Sequence, residues 1–198
     1  MQTILGANGQ IATELARELQ RRYTNDVRLV SRNPRKVNAT DSLVSANLLD
    51  AKQTSDAVKG SRIVYFTAGL PPGRHPRVRR LRLARVAGRE AHLVRGSALQ
   101  RASFAYFDNP YMDPRDERLQ TEETPFAPVG RKGKVRAAMA AMVLEEMARG
   151  DIPVLIGRAP EFYGPGKTQS FTNALVIERL QAGKKPLVVS MSDYAASG

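Results

Sequence analysis

The sequence contains no cysteine and no tryptophan, and only two of its 198 residues are histidine. The absence of cysteine excludes disulfide bonds and thiolate metal sites, so nothing indicates an oxidising compartment and we predict no metal site. No apolar run approaches the roughly 18 residues that a membrane-spanning helix needs. The amino terminus starts directly with a strand-like apolar pattern, which is not that of a signal peptide. We therefore expect a soluble, cytoplasmic protein with no membrane partner.

Positive charge is concentrated in one segment of the chain. The formal net charge is +12, and residues 74–101 hold nine arginines against the single acid Glu90. That segment alone carries +8, which leaves +4 for the other 170 residues. A high net charge usually suggests a nucleic-acid partner. Because most of this chain is only weakly basic, its charge does not favour nucleic-acid binding.

Two glycines three residues apart follow the first apolar run. Gly6 and Gly9 stand in TILGANGQIA (residues 3–12), and a helical pattern begins near Gln10. Gly6 permits a tight turn, and Gly9 lets a ligand approach the backbone because it has no Cβ. The first N–H groups of the helix then favour a phosphate or pyrophosphate over the turn. Ala12 completes a G-x-x-G-x-x-A motif, which on its own is also compatible with a plain strand–turn–helix.

Short apolar runs alternate with helical patterns over the first 70 residues. Strands are predicted at 27–30, 43–46 and 63–67, and a helix at about 54–58. This alternation is typical of an open α/β sheet of parallel strands, which binds its ligand at the carboxyl ends of the strands.

The second predicted strand ends without the acidic residue that often binds a ribose 2′-hydroxyl. Arg32 stands there instead, and a cation at this position suits a 2′-phosphate. We therefore favour NADP as the cofactor, with NAD as the alternative. Arg32 can also be interpreted as a solvated arginine before a turn.

Several motifs taken together resemble a known family. The early ones are the glycine turn, SRNP at 31–34, NLLD at 47–50 and TAG at 67–69. The later ones are FDN at 107–109, PVGRKGKVR at 128–136 and RAPEFYGPG at 158–166. They are similar to motifs of the extended short-chain dehydrogenase/reductases, and most of all to the NAD(P)-dependent epimerase/dehydratase group. The resemblance covers about residues 1–70 and 105–185.

This resemblance implies a Rossmann-type doubly wound parallel sheet with helices on both faces, over residues 1–166. Residues 167–198 would start a substrate-binding region, and because members of the family are longer, we expect the substrate cap to be truncated. The resemblance also implies which residues contact the cofactor. They are Gly6, Asn8, Gly9, Gln10 and Ile11 for the pyrophosphate, Arg32 for the 2′-phosphate, Asn47 and Leu48 for the adenine, Ala68 and Gly69 for the ribose side, and Pro160 for the nicotinamide end.

The catalytic positions of the family hold other residue types in this chain. Alignment on residues 128–133 puts Lys132 at the family's tyrosine and Arg136 at its lysine. Asn109 falls at its serine or threonine. An arginine is not a usable proton donor near neutral pH, because its pKa stays above about 12, although it can bind a ribose or phosphate. Lys132 could act as an acid if its pKa were lowered, and Tyr111 is a candidate substitute phenol. The other interpretation of Lys132 and its neighbours is a solvated basic helix start.

Residues 71–103 interrupt the resemblance, and three interpretations stay open. The segment could be a divergent basic helix that docks through Val78, Leu81 and Ala84. It could be an arm that neutralises nucleic-acid phosphates, although it contains no aromatic residue for stacking. It could also come from the wrong reading frame, because GC-rich DNA read out of frame yields Arg, Ala, Gly and Pro. Both histidines lie here, and we assign neither a role.

The sequence thus predicts an NAD(P)-dependent oxidoreductase that transfers hydride between nicotinamide and a hydroxyl or carbonyl group. The expected partner is a small-molecule substrate, a sugar nucleotide or similar compound, and a homodimer is an open alternative. Two other functions stay open: a non-catalytic NAD(P)-binding redox sensor, and an inactive fragment of the family.

Overall fold

The computed structural model describes residues 1–68, 102–114, 116, 118–160, 162–163 and 170–187, with the backbone alone at residues 131 and 132. The chain divides into two compact units, Met1–Arg158 and Ala159–Gly198. Gly69, nearly all of the arginine-rich segment and the Lys132 side chain lie outside the described residues. What the sequence predicts for them therefore stays a prediction.

Strands and helices alternate in the first unit. The strands are β1 (Gln2–Leu5), β2 (Val27–Ser31), β3 (Ser42–Ser45), β4 (Ile63–Phe66), β5 (Ser103–Asp108) and β6 (Val154–Arg158). The described helices are α1 (Gln10–Arg22), α2 (Ala51–Val58) and α3 (Gly130–Arg149). Neighbouring strands are all parallel, in the order β3-β2-β1-β4-β5-β6. This is the strand order of a doubly wound dinucleotide-binding sheet.

The two faces of the sheet bury separate cores, because successive side chains of a strand point to opposite faces. One core joins the sheet to α1. Its members include Ile4, Leu29, Ala12, Ala16 and Leu19. The other core joins the sheet to α2 and α3. Its members include Leu5, Phe66, Tyr106, Ala57, Met139 and Val143. Helices therefore cover both faces, which confirms the predicted Rossmann-type doubly wound sheet.

Two element boundaries differ from the sequence prediction for local reasons. Helix α2 begins earlier, because the Asp50 carboxylate accepts a hydrogen bond from the Gln53 N–H at 2.9 Å and caps the first turn. Strand β6 begins later, after Pro153, which has no N–H to donate to a neighbouring strand. The Pro153 carbonyl still accepts a hydrogen bond from the Phe104 N–H at 2.9 Å.

The described part of the second unit is mostly helical. A π-helical segment, Asn173–Ile177, runs into the short helix α4 (Glu178–Gln181). The Ser170 hydroxyl accepts a hydrogen bond from the Asn173 N–H at 3.1 Å, as the predicted cap of a helix requires. The sequence predicted an ordinary α-helix here, and the wider π-helical turn is the difference. Among the described helices of both units, none is long and apolar enough to span a bilayer.

The turn after β1 brings two backbone segments into direct contact. Gly6 has a φ of +94°, and a Cβ built on it would lie 2.7 Å from the Ala68 Cα. The Gly6 N–H donates to the Val30 carbonyl at 2.9 Å. Ala68 is held in place by Thr67, whose N–H and hydroxyl both donate to the Leu5 carbonyl at 3.0 Å. Glycine is therefore required at position 6 for two reasons, backbone conformation and space.

We expect Gly6→Ala to lower the free energy of unfolding by about 3 kcal/mol, because it combines a left-handed backbone penalty with a steric clash. Gly150→Ala is the matched control, since Gly150 has a φ of +73° but its Cβ would meet nothing within 4 Å. The control should lose only about 1 kcal/mol. Urea unfolding followed by circular dichroism measures both. Equal losses would show that the contact with Ala68 is not what position 6 requires.

Candidate functional site

The loops that follow the strands meet at one edge of the sheet, because parallel strands share the edge at which their carboxyl ends lie. The strand order reverses at β1, whose neighbours are β2 and β4. Helix α1 covers one face, and α2 and α3 cover the other. Open α/β sheets bind ligands in the crevice outside the carboxyl ends at such a reversal. This crevice is therefore the candidate site.

The start of α1 fits an anionic ligand. Gly9 is the N-cap, with φ −78° and ψ 154°; no side chain caps the first turn, which contains no acidic residue. The N–H groups of Gln10, Ile11 and Ala12 have no acceptor within the helix, and the helix dipole makes this end positive. A Cβ on Gly9 would meet only the Gly6 carbonyl oxygen within 4 Å, at 3.3 Å. The turn therefore offers N–H donors with open space above them.

Asn8 joins the glycine turn to the loop after β2. Its Nδ2 donates a hydrogen bond to the Asn33 carbonyl at 2.7 Å. This bond fixes two loops that border the crevice, and it uses the side chain that the resemblance assigns to the pyrophosphate. That role of Asn8 stays a prediction.

The loop after β2 exposes two arginines. Arg32 and Arg35 are both exposed, and neither guanidinium has an ion pair or hydrogen bond within the described part of the chain. The Arg32 carbonyl accepts a hydrogen bond from the Ser45 hydroxyl at 2.8 Å, which fixes the backbone that carries this side chain. The Ser31 hydroxyl is buried and has no hydrogen-bond partner among the described residues. Two cations beside an unsatisfied hydroxyl fit a phosphorylated ribose.

The next acidic residue along the chain, Asp41, has a structural role. It is buried, and its Oδ2 accepts hydrogen bonds from the Val37 and Asn38 N–H groups at 3.0 and 2.7 Å. Its carboxylate is thus engaged within its own loop. It does not replace the acid that would bind a ribose 2′-hydroxyl at the end of β2.

The loop after β3 is held by a closed set of hydrogen bonds. The Gln53 side chain accepts from the Asn47 N–H at 2.9 Å, while the Gln53 N–H donates to Asp50. The Asn47 Oδ1 accepts from the Leu49 N–H at 3.2 Å. Asn47 is exposed, whereas the Leu48 side chain is buried in the core beside α2. The fixed loop suits the predicted adenine contact, with Asn47 as its accessible member, and the contact itself stays a prediction.

A buried carboxylate closes the far side of the crevice. Asp108 is the last residue of β5, and its side chain is fully buried. Neither carboxylate oxygen accepts a hydrogen bond of normal geometry from the described residues. Its nearest cation is Arg136 of α3, whose Nη1 lies 3.7 Å from the Asp108 Oδ1. An ion pair therefore connects the end of β5 to the second turn of α3.

A second ion pair lies beside the first. Arg158 ends β6 in register with Asp108 of β5, and its Nη1 lies 3.4 Å from the Asp113 Oδ1. The Arg158 guanidinium also lies over the Phe126 ring, 5.3 Å from its centroid. With Arg136, the cluster holds two arginines and two aspartates, so it is neutral when both carboxyls are ionised.

Burial raises the pKa of the Asp108 carboxyl above its ordinary value of 3.8. The nearby Asn109 N–H and the guanidinium groups of Arg136 and Arg158 oppose this rise, and the Asp113 carboxylate adds to it. Asp108 is therefore protonated more readily than an exposed aspartate.

The residues predicted to be catalytic lie around the end of β5 and the start of α3. The Asn109 Oδ1 accepts a hydrogen bond from the Tyr111 N–H at 3.1 Å. A Cβ on Gly133 would lie 2.6 Å from the Tyr111 carbonyl oxygen, so the first turn of α3 packs directly against this loop. The structure thus brings Asn109, Tyr111 and the helix start together. The Lys132 side chain lies outside the described residues, and its role stays a prediction.

Two further predicted positions have different standing. Ala68 borders the crevice at the end of β4, in contact with the turn at Gly6. Its neighbour Gly69, also predicted for the ribose side, lies outside the described residues. Pro160 belongs to the second unit, so its predicted place at the nicotinamide end stays a prediction.

Sequence analysis did not identify Asp108 or Arg35. A signal for Asp108 was present, because it follows Phe104 and Tyr106 at the two-residue spacing of one strand face. A carboxylate in such a buried row is unusual. Arg35 stands three residues after Arg32, across Pro34, and this spacing was a second available signal.

We expect the free-energy difference between Asp108→Asn and wild type (variant minus wild type, for unfolding) to become more positive from pH 4 to pH 7. Because the pKa of Asp108 is raised in the folded state, its contribution to stability is fully present below the unfolded value and is lost as the pH rises through the folded value. Asparagine does not titrate and shows no such loss. Urea titrations at each pH measure the difference.

Asp116→Asn is the control with the opposite sign. Its exposed pair with Arg118 lowers the pKa of Asp116, so its contribution is present above the unfolded value and is lost as the pH falls. The difference for this variant should therefore become more negative as the pH rises. The same trend in both variants would contradict the burial of a raised-pKa carboxyl at position 108.

Comparison with known proteins gives a match over half of the chain. A family model described as NAD(P)H-binding matches residues 6–105. No curated protein matches the sequence.

Solved structures match the fold at low sequence identity. The UDP-glucuronic acid 4-epimerase from Bacillus cereus, with UDP-glucuronic acid and NAD, is 15% identical with a TM-score of 0.78; the match covers 96% of this chain and 66% of that one. For MoeE5 with UDP-glucose and NAD, the values are 21%, 0.73, 91% and 61%. For DesIV, the dTDP-glucose 4,6-dehydratase from Streptomyces venezuelae with NAD and TYD, they are 15%, 0.72, 92% and 63%.

This chain thus spans less than two thirds of the length of these enzymes. At such identities the likeness concerns the fold alone, which is that of epimerases and dehydratases. Together with the match over residues 6–105 and the strand order, it places the chain in the NAD(P)H-binding family, as an atypical extended short-chain dehydrogenase/reductase.

Proposed function

We propose that this chain is an NAD(P)-dependent oxidoreductase of the epimerase/dehydratase type. The observation that carries the proposal is the start of α1, where unengaged N–H groups face open space beside Gly9. This start lies at the reversal of strand order, where doubly wound sheets bind dinucleotides. The pyrophosphate then lies over residues 6–11, and Ala68 and Gly69 adjoin the ribose side.

We favour NADP over NAD as the coenzyme. Arg32 and Arg35 are exposed cations with no acidic partner in the described part of the chain, and the only acid in the loop that follows, Asp41, is engaged by backbone N–H groups. A guanidinium is a strong ligand for a phosphate monoester, whereas a ribose 2′-hydroxyl favours a carboxylate. Asn47 and Leu48 border the adenine in this arrangement.

The bound coenzyme supplies hydride transfer to or from its nicotinamide ring. The residues of this chain would bind and orient the substrate and move the accompanying proton. Asn109 and Lys132 are our candidates for orientation and proton movement, and Arg136 for binding of the ribose. Tyr111 is an alternative phenol at the same loop, which the first turn of α3 contacts.

A sugar nucleotide or a similar small molecule with a hydroxyl or carbonyl group is the substrate class we propose. Its support is the fold shared with enzymes whose structures hold UDP-sugars or TYD. We expect the protein to work in the cytoplasm. The second unit, which includes Pro160, would form the start of the substrate side.

A redox sensor that binds the dinucleotide without turnover is the second candidate. The observation that favours it is the replacement of standard proton-transfer groups: the Asn109 carboxamide oxygen is engaged by the Tyr111 N–H, and Arg136 is held by Asp108. Hydride exchange measured with a panel of sugar nucleotides separates the two. Tight NADPH binding with no exchange would favour the sensor.

We expect Gly9→Ala to weaken NADPH binding by at least about tenfold, because the added methyl group occupies the space over the helix start. Its fold should be retained, since Gly9 has a φ of −78° and its Cβ meets only one protein atom within 4 Å. Calorimetric titration and circular dichroism measure the two effects. A folded variant with unchanged affinity would refute the placement of the pyrophosphate.

We expect Arg32→Ala to weaken NADPH binding about tenfold and to leave NADH binding unchanged, because only NADPH carries the 2′-phosphate. Arg17→Ala is the matched control; Arg17 is an exposed arginine of α1 that pairs with Glu14. It makes the same change in net charge away from the crevice. Equal effects of Arg32→Ala on both coenzymes would contradict the assigned 2′-phosphate contact.

A further inference from the structure

A carboxylate stands where the buried row of β5 would ordinarily continue with an apolar side chain. Phe104 and Tyr106 are buried on the face that α3 covers, and Asp108 follows at the same spacing with its side chain fully buried. Burial of a charged carboxyl is unfavourable unless partners compensate for it. A leucine would extend the core without that penalty. Packing therefore does not explain the aspartate.

The two cations near Asp108 are not equivalent. Arg158 lies 3.4 Å from Asp113 and over the Phe126 ring, so its guanidinium is engaged on that side. Arg136 has no second acidic partner within the described ranges, and its Nη1 lies 3.7 Å from the Asp108 Oδ1. Asp108 is thus the carboxylate that determines where the Arg136 guanidinium lies.

The length of this ion pair leaves Arg136 able to bind a ligand. A separation of 3.7 Å gives electrostatic attraction but exceeds a hydrogen bond, so it does not saturate the five N–H donors of the guanidinium. The Arg136 side chain is 14% exposed, so part of it reaches the surface. It can therefore donate hydrogen bonds outward while Asp108 fixes its position from below.

The position of the pair in the sheet indicates which part of a dinucleotide it would meet. The start of α1 and the arginines after β2 lie on the β1–β3 half of the sheet, whereas Asp108 and Arg136 lie on the β4–β6 half. The two halves of a doubly wound sheet each bind one nucleotide. The pair therefore lies on the side of the nicotinamide nucleotide.

We propose that Asp108 is a positioning residue that holds the Arg136 guanidinium at the carboxyl end of β5, where Arg136 binds the nicotinamide-side ribose of the coenzyme. This inference rests on the proposed function, because it takes the dinucleotide site as given. Asp108 acts only through Arg136 and touches no reacting atom.

Two probes test this proposal on the full chain. NADP⁺ spans both halves of the site, and adenosine 2′,5′-bisphosphate reaches only the half of β1–β3. Calorimetric titration gives a preference ratio, the Kd of the bisphosphate divided by the Kd of NADP⁺. Asp108→Asn should lower this ratio about tenfold, the loss of one charge-assisted contact, and should leave the Kd of the bisphosphate unchanged. Asp116→Asn, at the exposed pair with Arg118, is the control and should keep the wild-type ratio.

A double-mutant cycle separates positioning from a merely structural effect. Arg136→Met should lower the ratio about tenfold, and the double variant should lower it no further, because Asp108 acts through Arg136 alone. A loss of about a hundredfold in the double variant would mean independent roles and would overturn the proposal.

The pH dependence supplies a second readout. The charged groups that face Asp108 are Arg136 of α3, Arg158 of β6 and Asp113 of the following loop. In the wild type the ratio should fall as the pH falls through the raised pKa of Asp108, because protonation removes the anion that holds Arg136. Asp108→Asn and Arg136→Met should lack this fall. Ligand phosphates titrate equally in every variant, so the differences report the protein.

The outcomes distinguish this proposal from the proposed function. Binding of neither probe by the folded wild type would overturn both. Binding of both probes with a wild-type ratio in Asp108→Asn would overturn the positioning role alone. If Asp108→Asn is unfolded by circular dichroism, Arg136→Met decides: a wild-type ratio, or a retained fall with pH, overturns the proposal.

Discussion

The contact between the turn after β1 and the backbone at the end of β4 is the constraint on which the crevice depends. A Cβ at Gly6 would overlap Ala68, so the two central loops approach at a distance that only a glycine allows. The hydrogen bonds from Thr67 to the Leu5 carbonyl hold the β4 side of this contact. The position of the α1 start relative to the end of β4, and therefore the width of the crevice, follows from it.

The fold was predictable from the sequence because its signals are local. Apolar runs of strand length, a helical pattern after the glycine turn and the regular alternation of the two led to the parallel doubly wound sheet that the structure shows. The errors were at boundaries, where one side chain decides. Asp50 caps α2 earlier than its apolar pattern indicates, and Pro153 delays β6.

The candidate site was predictable only in part, because ion pairs between distant elements leave no periodic trace. The glycine turn and Arg32 could be read from spacing, and their binding roles are still predictions. The two glycines looked alike in sequence, yet the structure separates them by the space around each Cβ. Asp108 lies 28 residues before Arg136, and their approach depends on how α3 crosses the sheet. That crossing is a property of packing, which the sequence does not display.

The close approach at Gly133 has a consequence for how side chains can be exchanged at this edge. Because α3 meets the Tyr111 carbonyl through its own backbone, the spacing between this loop and the helix start is independent of any side-chain length. Positions 109 and 132 can therefore carry different functional groups on an unaltered frame. The same backbone offers engineers a mount on which a phenol–amine pair could be rebuilt without redesigning the scaffold.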